Sequence, residues 1–422
     1  MNFKAPRGTH DILPDQQPYW RHVESVVHRI CSLYGYHQIS TPTMEETALF
    51  VRAVREGTDI VDKEMYSFED KGGNPLTLRA EGTAPVVRAY IEHGFHTLPQ
   101  PVRLYYLSSI FRQERPQAGR YREHHQFGIE AIGSMDPSVD AEILTLGREF
   151  YARMEIAGVS LRLNSIGCPV CRPAYLSELK AYYREHIDQA CPDCQKRVER
   201  NPLRVLDCKV EGCQPLIEKA PHSVDHLCEE CRDHFVQLQE YLDVLDFSYE
   251  LSHRLVRGLD YYTKTVFEFY AEGIGAQNAI GGGGRYDGLA EALGGSSTPG
   301  IGMGIGLERV ILTLMEQKVE VPPIEPPVVF VAMLGDGARK VGVQLRARLR
   351  QADIPATYAP DKRSLKAQMR QANAGGAKVV LILGEDEIRD SVVMCRDMGT
   401  GTQETVGLDE LVGYLRRILR AS

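Results

Sequence analysis

Apolar positions recur along this chain with two main spacings, and each predicts a different kind of element. Between Asp15 and Tyr34, residues Trp20, Val23, Val27, Ile30 and Cys31 fall on one stripe of a helix, and Gly35 follows where a helix end favours glycine. The next segment, YHQISTPTME, reads as a strand; its Pro42 cannot donate to a ladder and therefore predicts a sheet edge or an interface. From Arg103 to Gly133, RLYYLSSIFRQERPQAGRYREHHQFGIEAIG, two alternating runs flank a basic turn and predict a β-hairpin. A helix from about Ser138 to Ile156 and strands at VSLRLNSIG, FSYELSHRLV and TVFEFYAE continue the pattern.

The periodicity changes twice. Between Cys168 and Cys231 the sequence is charged and helix-like and holds eight of the ten cysteines, so residues 168–244 read as an insertion inside a larger domain spanning 1–325. After the break VPPIEPP, strand-like VVFVAML, PATYA and KVVLILG alternate with helical runs ending in LDELVGYLRRIL. Residues 328–422 thus predict a small α/β domain with a mostly parallel sheet.

Composition narrows the class. A chain of 422 residues with 43% hydrophobic residues is long and apolar enough for two or three packed domains. No run approaches the roughly 20 apolar residues of a membrane span, and MNFKAPRGTH has no signal-peptide core, so a cytoplasmic protein without a membrane partner is expected. The net charge of −8 is uneven: residues 328–422 hold 15 Lys+Arg against 11 Asp+Glu, a net +4, which leaves −12 elsewhere. Local potential steers a polyanion, so an acidic total does not exclude RNA. A solvated helix surface accounts for the same charges.

The hairpin carries the densest chemistry. Arg112 and Glu114 are two apart, as are Gln126, Gly128 and Glu130, so alternation turns each set to one side. One pocket would then meet a cation, two carboxylates and an amide. The connecting turn adds Arg115, Arg120 and Arg122 without an acid.

These residues carry a resemblance. The hairpin is similar to motif 2 of the class II aminoacyl-tRNA synthetases, and FRQERPQAGRYR resembles the version in the histidyl-tRNA synthetase family. APRGTHDILP, RGLDYY at Arg257–Tyr262, GGGRYDGL at Gly282–Leu289 and a motif 3 look-alike, GMGIGLER at Gly302–Arg309, point the same way, in order, over nearly the whole chain. The N-terminal helix, strand and Pro42 resemble motif 1, which implies a homodimer. The resemblance implies an α+β catalytic domain built on an antiparallel sheet with class II motifs, a helical insertion, and a C-terminal α/β anticodon-binding domain. It implies a histidine-tRNA ligase: ATP-dependent adenylation of L-histidine, with Mg2+, then transfer to the 3′ end of tRNA(His).

Adenylation brings two anions together. At about 4 Å, like unit charges repel by roughly 4 kcal/mol at an effective dielectric near 20, so the site needs fixed cations. Arginine serves because its planar fork grips phosphate at two points and stays charged. By resemblance, Arg112 holds the α-phosphate, Arg309 the γ-phosphate, and Arg257 both the α-phosphate and the histidine carboxylate; Arg257 and Arg112 are the catalytic pair. Glu81, Thr83 and Gln126 take the ammonium, Glu130 and Tyr262 the imidazole, with Tyr261 and Tyr286 completing the pocket. Glu114 bonds the adenine amino group. His124 stands where the family commonly has a stacking Phe, so ATP affinity is expected to vary with pH. Arg115, Gln117 and Arg120 approach the tRNA acceptor end. Magnesium ligands are not assigned.

The glycine run from Gly281 to Gly284 reads as a close approach to a ligand chiefly because Arg285 and Tyr286 follow it. Cys168/Cys171, Cys191/Cys194 and Cys228/Cys231 have CxxC spacing, with Cys208 and Cys213 between them. Cys168, Cys171, Cys228 and Cys231 are candidate ligands of a structural zinc. The favoured expectation is free buried thiols, since related synthetases with similar insertions do not generally need a metal. The rival reading is a non-catalytic regulatory paralogue, a subunit of an ATP phosphoribosyltransferase, which typically lacks the RGLDYY arginine and the C-terminal domain.

Overall fold

The first apolar stripe folds as the helix Gln17–Leu33, with Trp20, Val23, Val27, Ile30 and Cys31 all buried. In this computed structural model the described residues are 3–54, 58, 60–115, 119–272, 279–324, 327–360 and 363–420. They form two units, 1–322 and 323–422.

The larger unit is built on an eight-stranded sheet ordered His37–Gln38, Val102–Phe111, Glu123–Ile132, Gly300–Gly306, Ala279–Arg285, Thr263–Tyr270, Ser160–Ser165 and Glu250–Leu251. Its six central strands are antiparallel, and only the two outermost pairs are parallel. The predicted hairpin is the long pair 102–111 and 123–132, in register Tyr106 with Gly128 and Ser108 with Gln126. One sheet face packs on the helices Gln17–Leu33, Pro137–Arg153 and Leu307–Glu316 through Phe127, Ile129, Phe150, Phe267, Phe269 and Ile305. The other face, away from this core, carries the polar side chains described below.

Two strand expectations are shortened by the structure. YHQISTPTME is not one strand: His37–Gln38 and Met44–Glu46 belong to different sheets, and Pro42 lies between them. The Pro42 carbonyl accepts from Arg79 Nη1 at 3.0 Å, a bond that a ladder position would have used differently. FSYELSHRLV contributes only Glu250–Leu251.

The cysteine-rich segment is helical, with helices Arg172–Glu185, Pro192–Arg200, Leu203–Leu206, Gln214–Glu218 and Glu229–Val244. It has a small core of its own, including Tyr175, Leu179, Tyr183, Val198 and Leu216. Its last helix instead buries Phe235, Leu238 and Leu242 in the main core.

The smaller unit has a five-stranded sheet ordered Ala356–Tyr358, Val329–Met333, Val379–Leu383, Val392–Asp397 and Gln403–Gly407. The first three strands are parallel, and the last two run antiparallel as an added hairpin. The sheet is therefore half parallel rather than mostly so. A short turn joins 392–397 to 403–407, which permits only antiparallel pairing.

Candidate active site

Three arginines from distant segments meet at one cleft of about 290 Å³, Arg112 just past the end of the strand 102–111, Arg257 in the segment before the strand 263–270 and Arg309 on a helix, together with Glu114, His124 and Gln126. Arg112 leaves the hairpin strand and is aimed by its Nε bond to the Ala80 carbonyl, 2.8 Å. Arg309 sits on the first turn of the helix Leu307–Glu316, with Nε on the Gly119 carbonyl at 3.1 Å and Nη1 on Ala279 at 2.5 Å. Its neighbour Glu308 also lines the cleft and accepts from the His125 amide at 2.8 Å, fastening that helix to the return strand of the hairpin.

Arg257 pairs with Glu268 on the strand Thr263–Tyr270, and its Cζ lies 5.9 Å from the Tyr262 ring centroid. Burial works against the Arg257 charge, but Glu268 and the phenols of Tyr262 and Tyr261 outweigh it and hold the group protonated. Arg257 Nε is buried with no hydrogen-bond partner among the described residues.

Beside the cleft the acids and phenols form a closed network. Glu81 accepts from the amides of Thr83, 2.8 Å, and Ala84, 2.6 Å, and from the Tyr261 hydroxyl, 3.2 Å. Glu130 accepts from Thr83 Oγ1, 2.8 Å, and from the Tyr286 hydroxyl, 2.7 Å. Burial raises both carboxyls, Glu130 to about 8, while the donors from Tyr286 and Thr83 pull it partly back. Such a network meets the needs of a cationic amine and a two-nitrogen ring, each of which can replace an internal donor.

The glycines of the motif 3 look-alike make room for these side chains. A Cβ on Gly302 would lie 1.8 Å from Glu130 Oε2, and one on Gly304 would lie 1.8 Å from Gln126 Nε2. Gly282 and Gly284 similarly face Arg257 and Tyr262, at 2.9 Å from Nη1 and Cδ1.

Other predicted residues are placed as follows. Glu114 is held by Arg120, and Arg115 is exposed on the turn; Gln117 lies outside the described residues. His124 is desolvated and faces Arg112, which together hold its imidazole down at about 3, against the expectation of a ring that titrates near neutrality. Arg285 points away from the cleft. It is fully buried against Asp140, with Nη2 at 2.7 Å from Oδ2, and also bonds Asp287 and the Ser134 carbonyl. Tyr286 alone of that pair reaches the network. Cys168, Cys171, Cys228 and Cys231 come together away from the cleft.

Sequence reading passed over two residues. Glu268 alternates with the buried Phe267 and Phe269, and an acid at that parity in an apolar strand was the available signal. Tyr106 fills the space over Gly82 and Gly128, whose Cβ atoms would meet its ring or hydroxyl at 2.1 and 2.0 Å; the glycine opposite it in the hairpin was the signal.

Comparison with known proteins agrees with this geometry. Residues 8–310 match the family model described as histidyl-tRNA synthetase, and residues 328–418 match that of the anticodon binding domain. A "Histidine--tRNA ligase" of Dehalococcoides mccartyi is 52% identical over 98% of this chain and 99% of its own. One of Desulforudis audaxviator is 50% identical over 100% of both. The crystal structure of apo histidyl-tRNA synthetase from S. aureus superimposes with a TM-score of 0.82 at 39% identity, covering 98% of this chain and 99% of that one.

Proposed function

The chain belongs to the histidyl-tRNA synthetase family, and from that premise we propose that the arginine-lined cleft is where histidine and ATP react. The activity is histidine-tRNA ligation: ATP-dependent adenylation of L-histidine, then transfer to the 3′ end of tRNA(His), releasing AMP and diphosphate. The observation that supports this siting is the convergence of Arg112, Arg257 and Arg309 around one cleft beside a network of acids and phenols.

In the first step a histidine carboxylate oxygen attacks the α-phosphorus, the bond to the bridging oxygen breaks, and diphosphate leaves. Arg257 spans the carboxylate and the α-phosphate, Arg112 shares the α-phosphate, and Arg309 takes the γ-phosphate. Fixed guanidinium groups offset the repulsion between the reactants and cost no reorganisation when charge moves. Glu81, Thr83 and Gln126 receive the ammonium; Glu130 and Tyr262 read the ring, with Tyr286 and Tyr261 orienting the two acids. A site that leaves buried polar groups unpaired rejects analogues strongly, and no editing step is needed. Glu114 and His124 take adenine.

Magnesium enters with the triphosphate. The carboxylates of the cleft, Glu114, Glu268 and Glu308, are already engaged by Arg120, Arg257 and His125. Phosphate oxygens and water would then supply most of the ion's ligands, and the ion would offset charge on the triphosphate, as Mg2+ favours.

In the second step the terminal ribose hydroxyl of tRNA attacks the histidyl carbonyl and AMP leaves. Arg115, Gln117 and Arg120 guide the acceptor end, and the unit 323–422, with its basic surplus, reads the anticodon. The working form is a cytoplasmic homodimer joined through the motif 1 elements, to be checked by sedimentation. Among the described residues no helix is long and apolar enough to cross a membrane.

Amino-acid-dependent pyrophosphate exchange tests the whole reading. Label should enter ATP only when free histidine is present; no exchange would favour the regulatory paralogue, and exchange driven by another amino acid would refute the specificity.

A further inference from the structure

Eight of the ten cysteines gather into two sets of four: Cys168, Cys171, Cys228 and Cys231, and Cys191, Cys194, Cys208 and Cys213. Within each set all four sulfurs lie within 4.8 Å of one another. None of the ten cysteines is in a disulfide. We propose that each set binds one zinc ion, so that the chain carries two structural tetrathiolate sites that staple the insertion to the catalytic sheet and to itself.

The distances match. Sγ of Cys168 is 3.8 Å from Cys171 and 3.9 Å from Cys228, Cys171 is 3.9 Å from Cys231, and Cys191 is 3.9 Å from Cys208. A tetrahedron with metal–sulfur bonds of about 2.3 Å puts its sulfurs about 3.8 Å apart. A disulfide needs about 2.05 Å. Thiols buried merely as small apolar groups have no reason to converge in fours. Cys31 and Cys395 serve as the internal contrast, since both are buried and belong to neither set.

The surroundings repeat between the two sets. The Val170 amide donates to Cys168 Sγ and the Val210 amide to Cys208 Sγ, each at 3.4 Å and each from two positions further along the chain. The Cys168 amide reaches Cys171 Sγ, and the Cys191 amide reaches Cys213 Sγ, both at 3.2 Å. Amides aimed at sulfur orient and support thiolate ligands. Gly167 enters the first turn at φ +68, and a Cβ there would lie 2.7 Å from Cys171 Sγ, so the turn requires glycine.

The placement explains the need. The first set joins the chain leaving the sheet to the chain returning sixty positions later, at the start of the helix Glu229–Val244. Directly after it, Arg172 bonds the Ile166 carbonyl and, at 2.5 Å, the Tyr262 carbonyl, so this staple stands behind the RGLDYY segment. The second set holds the helix Pro192–Arg200, in which Cys194 and Val198 are the only buried residues. So small an apolar face needs a cross-link to stay docked. Four protein thiolates leave no open coordination position, which makes both sites structural.

The test uses the full chain purified without chelators under reducing conditions. Elemental analysis should give about two zinc per chain. The paired variant Cys228→Ser/Cys231→Ser should lose one equivalent and Cys208→Ser/Cys213→Ser the other. If either variant fails to fold, the unmodified chain reconstituted with cobalt(II) should show the thiolate charge-transfer and tetrahedral d–d bands, saturating at about two metals per chain. Iron in place of zinc, a single equivalent, metal retained in both variants, or neither zinc nor a cobalt spectrum would overturn the proposal.

Discussion

Glu268 closes on the guanidinium of Arg257 from the neighbouring strand, leaving Arg257 Nε buried and, among the described residues, without a hydrogen-bond partner. The pairing fixes the direction in which the remaining N–H groups point. Both side chains are about one-fifth exposed, so the pair is only partly screened. Glu268→Gln keeps the shape and removes the charge. Its pyrophosphate-exchange rate should fall about ten- to a hundredfold, corresponding to roughly 1–3 kcal/mol of lost positioning, with the melting temperature little changed. An unchanged rate would mean that Arg257 is aimed by something else.

The raised carboxyl of Glu130 makes stability depend on pH. Its value rises from 4.5 to about 8 on folding, so the folded state retains a proton that the unfolded chain has released, and stability drops as pH climbs through that window. Glu130→Gln removes the titration while keeping an acceptor for Tyr286. Between about pH 5 and 8 the melting temperature of the parent chain should decline more steeply than that of the variant. Parallel curves would place the Glu130 carboxyl near its ordinary value. The variant should also lose histidine-dependent exchange.

Two glycines in the family motifs should behave oppositely. Gly302→Ala forces its methyl into the position of Glu130 Oε2, so the KM for histidine should rise at least about tenfold. Gly288→Ala meets nothing within 4 Å and has negative φ, so kinetics within about twofold of the parent are expected. Steady-state exchange kinetics on both variants decide the point.

Arg285 acts on stability, not on substrate. Arg285→Met strands the fully buried Asp140 and should cost about 3–5 kcal/mol, whereas the double variant with Asp140→Leu should recover much of that loss. Thermal or denaturant unfolding reads both. A change in histidine KM without a stability loss would return Arg285 to the site.

His124 stays neutral through the physiological range. The ratio of ATP KM values between the parent chain and His124→Phe should therefore be constant from about pH 6 to 8. A ratio that changes with pH would show the imidazole titrating.

Local alternation made part of this site readable. Gln126 and Glu130 could be placed on one side of the hairpin because strand parity is set by neighbours two apart, and the long pair 102–111 and 123–132 kept that register; Arg112 and Glu114 lie just past the end of the first strand, where Arg112 is aimed by its bond to the Ala80 carbonyl. What parity could not reveal was which strand lies beside which. Glu268 meets Arg257 because the chain turns back from the RGLDYY segment into the strand 263–270, and Arg285 is buried because the helix Pro137–Arg153 brings Asp140 to it. The first depends on how that turn folds and the second on contact between distant segments. The strand through Pro42 was overextended because nothing in the half-polar YHQISTPTME marks the change of sheet between His37–Gln38 and Met44–Glu46. The hairpin 392–407 was missed because its strands are short and half polar. CxxC spacing showed pairs of thiols, but only the fold shows that Cys168 and Cys171 meet Cys228 and Cys231 while Cys191 and Cys194 meet Cys208 and Cys213.

The most direct check of the central claim is single-turnover formation of histidyl adenylate by Arg257→Ala, with histidine affinity measured alongside. The account predicts a rate at least about a thousandfold below the parent, with histidine still bound within about tenfold of its original affinity. A fall of less than tenfold in the adenylation rate would contradict it.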